Sequence, residues 1–161
     1  MLKSCFRTRA EKAIAFDSAD IYPVISSEFC LGRPVLDIFR AVAEGGAKLV
    51  QLREKHQGKR VLFDLAVACR PIANEYGILL IINDHVDVAL AANADGVHLG
   101  QEDLPLAAAR SLSDTLWLGN STHNLEEALR AQEEGADCIN IGPLFPTQTK
   151  EVGCSPLGLE T

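Results

Sequence analysis

The chain has 161 residues, 47% hydrophobic and 23% charged, which is enough apolar material for one core and too much for a disordered polymer. Its net charge of −7, from 22 acidic against 15 basic side chains, offers a nucleic-acid backbone no attractive field, so DNA and RNA are excluded as expected partners. The longest aliphatic run, Ile78–Ile82, is far short of the roughly 20 apolar residues of a membrane span, and a soluble protein with no membrane partner is expected.

Residues 1–19 form a leader. Its positively charged start, Met1-Leu2-Lys3-Ser4-Cys5-Phe6-Arg7, is followed by no apolar h-region or small-residue cleavage site, which argues against a secretory signal; a transit peptide is the lesser alternative. The leader reads as a helix able to cover the floor of a barrel formed by residues 20–161. Strands are predicted over Ile21–Ser26, Lys48–Leu52, Ile78–Ile82, Gly96–Leu99, Leu116–Gly119 and Cys138–Ile141. Helical stretches lie between them. Pro34–Glu44 starts on a proline and closes at Gly45-Gly46, while Val61–Tyr76 carries apolar residues at Val61, Leu62, Leu65, Ala66, Ala68 and Cys69 and stops at Gly77. In Asn124–Glu134, Asn124 is the expected N-cap, Glu127 holds the capping-box position and Gly135 is the expected C-cap.

Glu44-Gly45-Gly46-Ala47, Ala92-Asn93-Ala94-Asp95 and Glu134-Gly135-Ala136-Asp137 repeat one punctuation, a helix closing before a strand. Six parallel βα units with short links, and no G-x-G-x-x-G after the first strand, favour a barrel over a dinucleotide-binding sheet. The fold class expected is therefore α/β, of the (β/α)8 TIM-barrel type, with only about six βα units present. A full barrel takes about 250 residues and seldom fewer than about 200, so two units are expected to be missing at the C-terminal end. Such an open array is expected to be marginally stable, to aggregate or to pair with a complementary surface. The five cysteines, odd in number and never spaced C-x-x-C, point to neither a disulfide framework nor a zinc knuckle and suit a reducing cytoplasm.

The polar clusters follow the strands. Gln51-Leu52-Arg53-Glu54-Lys55 ends the second, and alternation places Gln51, Arg53 and Lys55 on one side, a cationic row suited to phosphate oxygens. Asn83-Asp84 follows the third, and Asp103 follows the fourth through His98-Leu99-Gly100-Gln101-Glu102. Two carboxylates at one rim suit Mg²⁺, which takes one or two carboxylates together with phosphate oxygens; the plainer alternative is that Asp84 and Asp103 cap the helices that follow them. Ser121-Thr122-His123 follows the fifth strand and Gly142-Pro143 through Thr147-Gln148-Thr149-Lys150 the sixth. His98 and His123 have the chemistry of an acid or base, although a lone rim histidine is more often a hydrogen-bonding residue. Active sites of βα barrels sit at the C-terminal face, so these five loops together read as one phosphate site.

On these residues, from Gln51-Leu52-Arg53-Glu54-Lys55 through Ile82-Asn83-Asp84, Asp95 to Asp103, Ser121-Thr122-His123 and Gly142-Pro143 to Lys150, the chain resembles the thiamine phosphate synthases over about Ile21 to Gly158. The resemblance implies a barrel coupling an aminopyrimidine methyl diphosphate to a thiazole ethyl phosphate, with release of pyrophosphate. It implies that Gln51, Leu52, Arg53, Glu54, Lys55, Asn83, Ser121, Gln148 and Lys150 bind substrate, chiefly the pyrimidine diphosphate. Asp84 and Asp103 would hold Mg²⁺, and Thr147 and Thr149 would touch the thiazole phosphate. Arg53, Lys55 and Lys150 would act by charge stabilisation, with no protein nucleophile, and a homo-oligomer is compatible. Two residues depart from the family pattern: Asn93 stands at a usual glycine and Asn120 at a usual small apolar residue. The related thiazole tautomerases share the barrel but need no diphosphate grip, and a fragment binding only diphosphate and magnesium is the other alternative.

Overall fold

The computed structural model describes residues 2–146 and 156–159. It is an α/β half-barrel: six parallel strands in sequential order, each crossing back through helical or looped chain on the outer face. The strands are β1 (Val24–Ile25), β2 (Leu49–Leu52), β3 (Leu79–Asn83), β4 (Gly96–Leu99), β5 (Trp117–Thr122) and β6 (Cys138–Ile141). The helices are α1 (Arg9–Asp17), α2 (Val35–Glu44), α3 (Lys59–Tyr76), α4 (Val86–Ala91), α5 (Leu106–Leu112) and α6 (Leu125–Glu133).

β4 and β6 fall where their patterns predict, and the other four strands overlap theirs. β1 pairs with only one neighbour among the described strands and shrinks to two residues from the expected Ile21–Ser26. β5 runs three residues beyond Gly119, because Asn120, Ser121 and Thr122 keep the ladder with Ile139, Asn140 and Ile141. Polar residues disguised that extension, since propensity favours apolar strands while ladder bonds need only backbone. Asn124 is the N-cap its chemistry predicts, whereas α2 starts one residue later than expected, with Pro34 in the cap position and no side-chain bond; the C-cap of α6 is Glu134 rather than Gly135, which follows at φ +85°. Asn93 adopts φ +54°, the left-handed conformation that asparagine tolerates best after glycine.

Strand alternation sorts the side chains into two layers. Val50, Leu52, Leu80, Ile82, Val97, Leu99 and Leu118 point outward and pack against α2, α3 and their neighbours, with Phe39 and Leu62 fully buried between. Leu49, Leu79, Ile81 and Trp117 point inward at the floor, where the leader covers them with Phe6, Ala13 and Phe16, and Tyr22 packs on them from the segment before β1. The Phe16 and Trp117 rings lie 5.3 Å apart. α1 starts on a complete capping box, Thr8 with Glu11, and lays Lys12 across the floor, its Nζ donating to the carbonyls of Asp95 (2.9 Å) and Thr115 (2.6 Å).

Two buried aspartates repeat one device. Asp95, at the start of β4, accepts from Leu80 N (2.7 Å), Arg70 (2.6 Å) and the Ser4 hydroxyl. Asp137, at the start of β6, accepts from Leu118 N (2.8 Å), Arg110 (2.7 Å) and Arg9. Each ties a strand, the helix before it and the leader together. The two sequence motifs ending in Asp are therefore the same structural joint twice.

Candidate functional site

Inward positions change character along the strands, from apolar at the floor to polar at the carboxyl ends. Val24, Ser26, Phe29, Gln51, Arg53, Asn83, His98, Ser121 and Asn140 line a mouth of about 450 Å³. Val24, Gln51, Asn83, His98, Ser121 and Asn140 come one from each of β1 to β6, so the mouth draws on all six strands, and of the row read from alternation Gln51 and Arg53 line it. Gly119 makes room for this layer: a Cβ there would run into the His98 ring. His98 Nε2 and Ser121 Oγ share a 2.9 Å hydrogen bond, and Gln51 Nε2 donates to the Tyr22 hydroxyl at 3.0 Å. The Tyr22 ring meets the His98 ring edge-on with centroids 6.3 Å apart, and burial pushes its phenol up from the ordinary value.

The pentapeptide divides as alternation predicts. Arg53 is mostly enclosed and reaches the mouth, tethered to Glu28 at 3.4 Å. Glu54 turns the other way, where its two oxygens accept from Ser27 N (2.9 Å) and Ser27 Oγ (2.6 Å). Leu52 is a core residue, 1% exposed, so only its backbone reaches the rim. Lys55, partly exposed, forms an ion pair with Asp84.

Asp84 and Asp103 do not cap the helices after them. Those N-cap positions belong to His85 and Pro105, neither with a side-chain capping bond. Asp84 instead holds a left-handed backbone, φ +62°, secured by its N–H on the His98 carbonyl at 2.9 Å. A non-glycine residue in that region costs on the order of 1–3 kcal/mol and persists where the surroundings dictate it. The result sets the Asp84 carboxylate against Asp103. Burial raises the Asp103 carboxyl above its ordinary range, the Gly100 N–H (2.6 Å) opposes, and the bond and charge of Asp84 raise it further. Two carboxylates facing each other, with Lys55 of the cationic row paired to Asp84, suit a small divalent cation whose other ligands are water and phosphate oxygens. Among the described residues, no group of three or more His, Cys, Asp or Glu forms a metal cage of its own.

His123 is not in the mouth; its ring nitrogen and its N–H both bond Glu127, at 2.9 and 2.8 Å, which fixes the start of α6. Thr122 is buried facing outward, its hydroxyl on the Asn140 carbonyl. The expected contributors Thr147, Gln148, Thr149 and Lys150 lie outside the described residues. Sequence reading passed over Tyr22, Glu28 and Asn140. Asn140 is an inward position of a strand whose bounds the sequence predicts, and Tyr22 is two residues before Val24 within the predicted Ile21–Ser26, so alternation could have found both; Glu28 lies in a single 3-10 turn, Ser27–Phe29, where no period operates.

A sequential parallel βα array with its polar inward residues gathered at the strand carboxyl ends is the architecture of barrel-type α/β proteins, with the ligand-handling face at that end. Comparison narrows the class. The family model described as thiamine monophosphate synthase matches residues 21–161. Thiamine-phosphate synthase of Chloroflexus aurantiacus is 45% identical over 140 residues, covering 87% of this chain and 65% of that protein. The Shouchella clausii thiamine-phosphate synthase is 46% identical over 132 residues, 81% of this chain and 63% of that one. Among solved structures, thiamine phosphate pyrophosphorylase from Pyrococcus furiosus superposes with a TM-score of 0.72 at 39% identity, over 78% of this chain and 61% of that chain. The chain belongs to the thiamine monophosphate synthase family. It spans just under two thirds of the length of these relatives.

Proposed function

We propose that this protein is a transferase of thiamine biosynthesis, joining 4-amino-2-methyl-5-(diphosphooxymethyl)pyrimidine to thiazole phosphate in the cytoplasm, to give thiamine phosphate and pyrophosphate. The observation that carries the reading is the pairing of Asp84 with Asp103 beside Lys55 and Arg53, at the mouth lined by Gln51, Asn83 and Ser121. Family membership and the thiamine-phosphate synthase names of the relatives support the same reading. The six-strand sheet would then be the larger part of a (β/α)8 barrel.

In the reaction the bond between the pyrimidine methylene carbon and the diphosphate oxygen breaks, and its electron pair leaves with pyrophosphate. The thiazole nitrogen lone pair then forms the new carbon–nitrogen bond. Arg53 supplies a planar fork and Lys55 a mobile ammonium to the departing oxygens, and Asn83 and Ser121 supply neutral donors. Lys150 would add a further cation. Asp84 and Asp103 would hold Mg²⁺, which supplies charge neutralisation for the leaving group. Because these groups stabilise charge at fixed positions, no protein nucleophile is needed. Gln51, held by Tyr22, and the Ser121–His98 pair line the space where an aminopyrimidine ring would sit.

The test is titration of the chain with the pyrimidine diphosphate and Mg²⁺, then addition of thiazole phosphate while thiamine phosphate is followed. Mg²⁺-dependent binding and product support the proposal. Binding that ignores Mg²⁺, or no binding at all, overturns it.

A further inference from the structure

Behind the mouth, on the outward face of the sheet, lies a second polar cluster whose one link to the mouth's lining residues is through the backbone of Ser121. Asn120 is buried, 6% exposed, among outward positions that are otherwise apolar at Leu99 and Leu118. Its amide donates to the Leu99 carbonyl at 2.9 Å, and its Oδ1 accepts from Gln101 Nε2 at 3.1 Å. The same Gln101 nitrogen donates to the Ser121 carbonyl at 2.7 Å. Gln101 Oε1 is held by Arg130, reaching over from α6, at 2.6 Å. Both donors of the glutamine amide are thus used on β5, and its oxygen accepts from α6.

The position of Gln101 gives the cluster its meaning. It lies in the turn Gly100–Asp103, which is closed internally by Gly100 N on Asp103 Oδ2 (2.6 Å) and by Asp103 N on the Gly100 carbonyl (3.4 Å). Those bonds fix Asp103 within its turn but do not fix the turn against the rest of the rim. The Gln101 side chain does, by tying the turn to the strand end that carries Ser121. We propose that Arg130, Gln101 and Asn120 form a clamp of positioning residues, which hold the Asp103 carboxylate and Ser121 at the separation a magnesium-bound diphosphate requires. The inference rests on the function proposed above and names residues that would never touch the ligand.

The clamp makes an unusual demand of Gln101. Glutamate in its place would keep, and strengthen, the bond to Arg130 but lose both donors to β5, leaving acceptors facing the Asn120 oxygen and the Ser121 carbonyl. A purely stabilising surface pair would tolerate that change; a clamp would not. The experiment is calorimetric titration of inorganic pyrophosphate with Mg²⁺ into the 161-residue chain and into Gln101→Glu, Gln101→Ala, Arg130→Ala, Arg130→Lys and Asp103→Asn, with each variant's melting temperature recorded.

The expected result is a three- to tenfold weaker Mg²⁺-dependent affinity for Gln101→Ala and for Gln101→Glu alike, about threefold for Arg130→Ala, and recovery in Arg130→Lys, at melting temperatures close to the parent. Asp103→Asn should lose the Mg²⁺ dependence. Unchanged affinity in both Gln101 variants while Asp103→Asn loses binding overturns the clamp alone. Absence of Mg²⁺-dependent binding in the parent, or its survival in Asp103→Asn, overturns the function proposal and the clamp with it.

Discussion

Four aspartates sit at the ends of strands in this half-barrel, and they divide by which end. Asp95 and Asp137, at strand starts, each face an arginine, a backbone N–H and a leader side chain, so that every bond is to the protein itself. Asp84 and Asp103, at the opposite rim, face each other, and Lys55 is the cation paired with Asp84. The first pair is electrically complete as the protein folds. The second repels itself, and Asp84 adds a left-handed backbone to that cost. Carboxylates that are finished by the fold hold it together, whereas carboxylates left in mutual repulsion are suited to a ligand that is not protein.

The sharpest way to break this contrast is at the floor. Asp95→Ala should strand the Arg70 guanidinium, 1% exposed, without its counter-charge, and cost about 3–5 kcal/mol in denaturant unfolding. A loss below 1 kcal/mol would show that the joint is not what holds β3, β4 and α3 together. At the rim, Asp84→Gly should do the reverse. Glycine accepts φ +62° freely, so stability should hold or rise by about 1 kcal/mol while Mg²⁺-dependent diphosphate binding disappears. Asp84→Ala, which keeps the strain, should lose both, and equal melting temperatures for the two variants would remove the strain argument.

Arg53→Ala should weaken diphosphate binding by about tenfold, one charge-assisted contact. Glu54→Ala should mainly destabilise, because Ser27 N and Oγ lose their acceptor. Equal effects of the two on affinity would refute the strand register. The smallest effect concerns pH. The folded Asp103 carboxyl is raised above its unfolded value, so the native state binds its proton at higher pH than the unfolded chain does. Its contribution to stability therefore grows as pH falls from the raised value toward the ordinary carboxylate range, and is lost at neutral pH. Asp103→Asn should flatten that acid-side gain and raise the neutral melting temperature by about 2 °C. A melting temperature lower than the parent's at neutral pH would mean that the Gly100 bond outweighs the repulsion.

The sequence pattern carried the strand order, the helix stops and the rim position of nearly every polar cluster, because these follow from period, capping chemistry and the rule that strand carboxyl ends meet at one face. It also told Arg53 from Glu54, since alternation needs no tertiary information. It did not tell Asp84 and Asp103 from helix caps. That distinction lies in one backbone dihedral and in the next residues, His85 and Pro105, taking the cap positions. Asn120 read only as a departure from the family pattern; its outward contacts with Gln101 and the Leu99 carbonyl required the β5 ladder to extend past Gly119. The paired roles of Asp95 and Asp137 were present as a repeated motif, but their arginine partners come from helices 25 and 27 residues away and no spacing rule links them.

The most direct measurement is calorimetric titration of pyrophosphate into the chain with and without Mg²⁺, repeated on Asp84→Gly at matched melting temperature. Binding that requires Mg²⁺ in the parent and vanishes in Asp84→Gly is the expected result. Binding of equal strength without Mg²⁺, or its persistence in Asp84→Gly, would show that the facing carboxylates are not the metal-holding half of a diphosphate site.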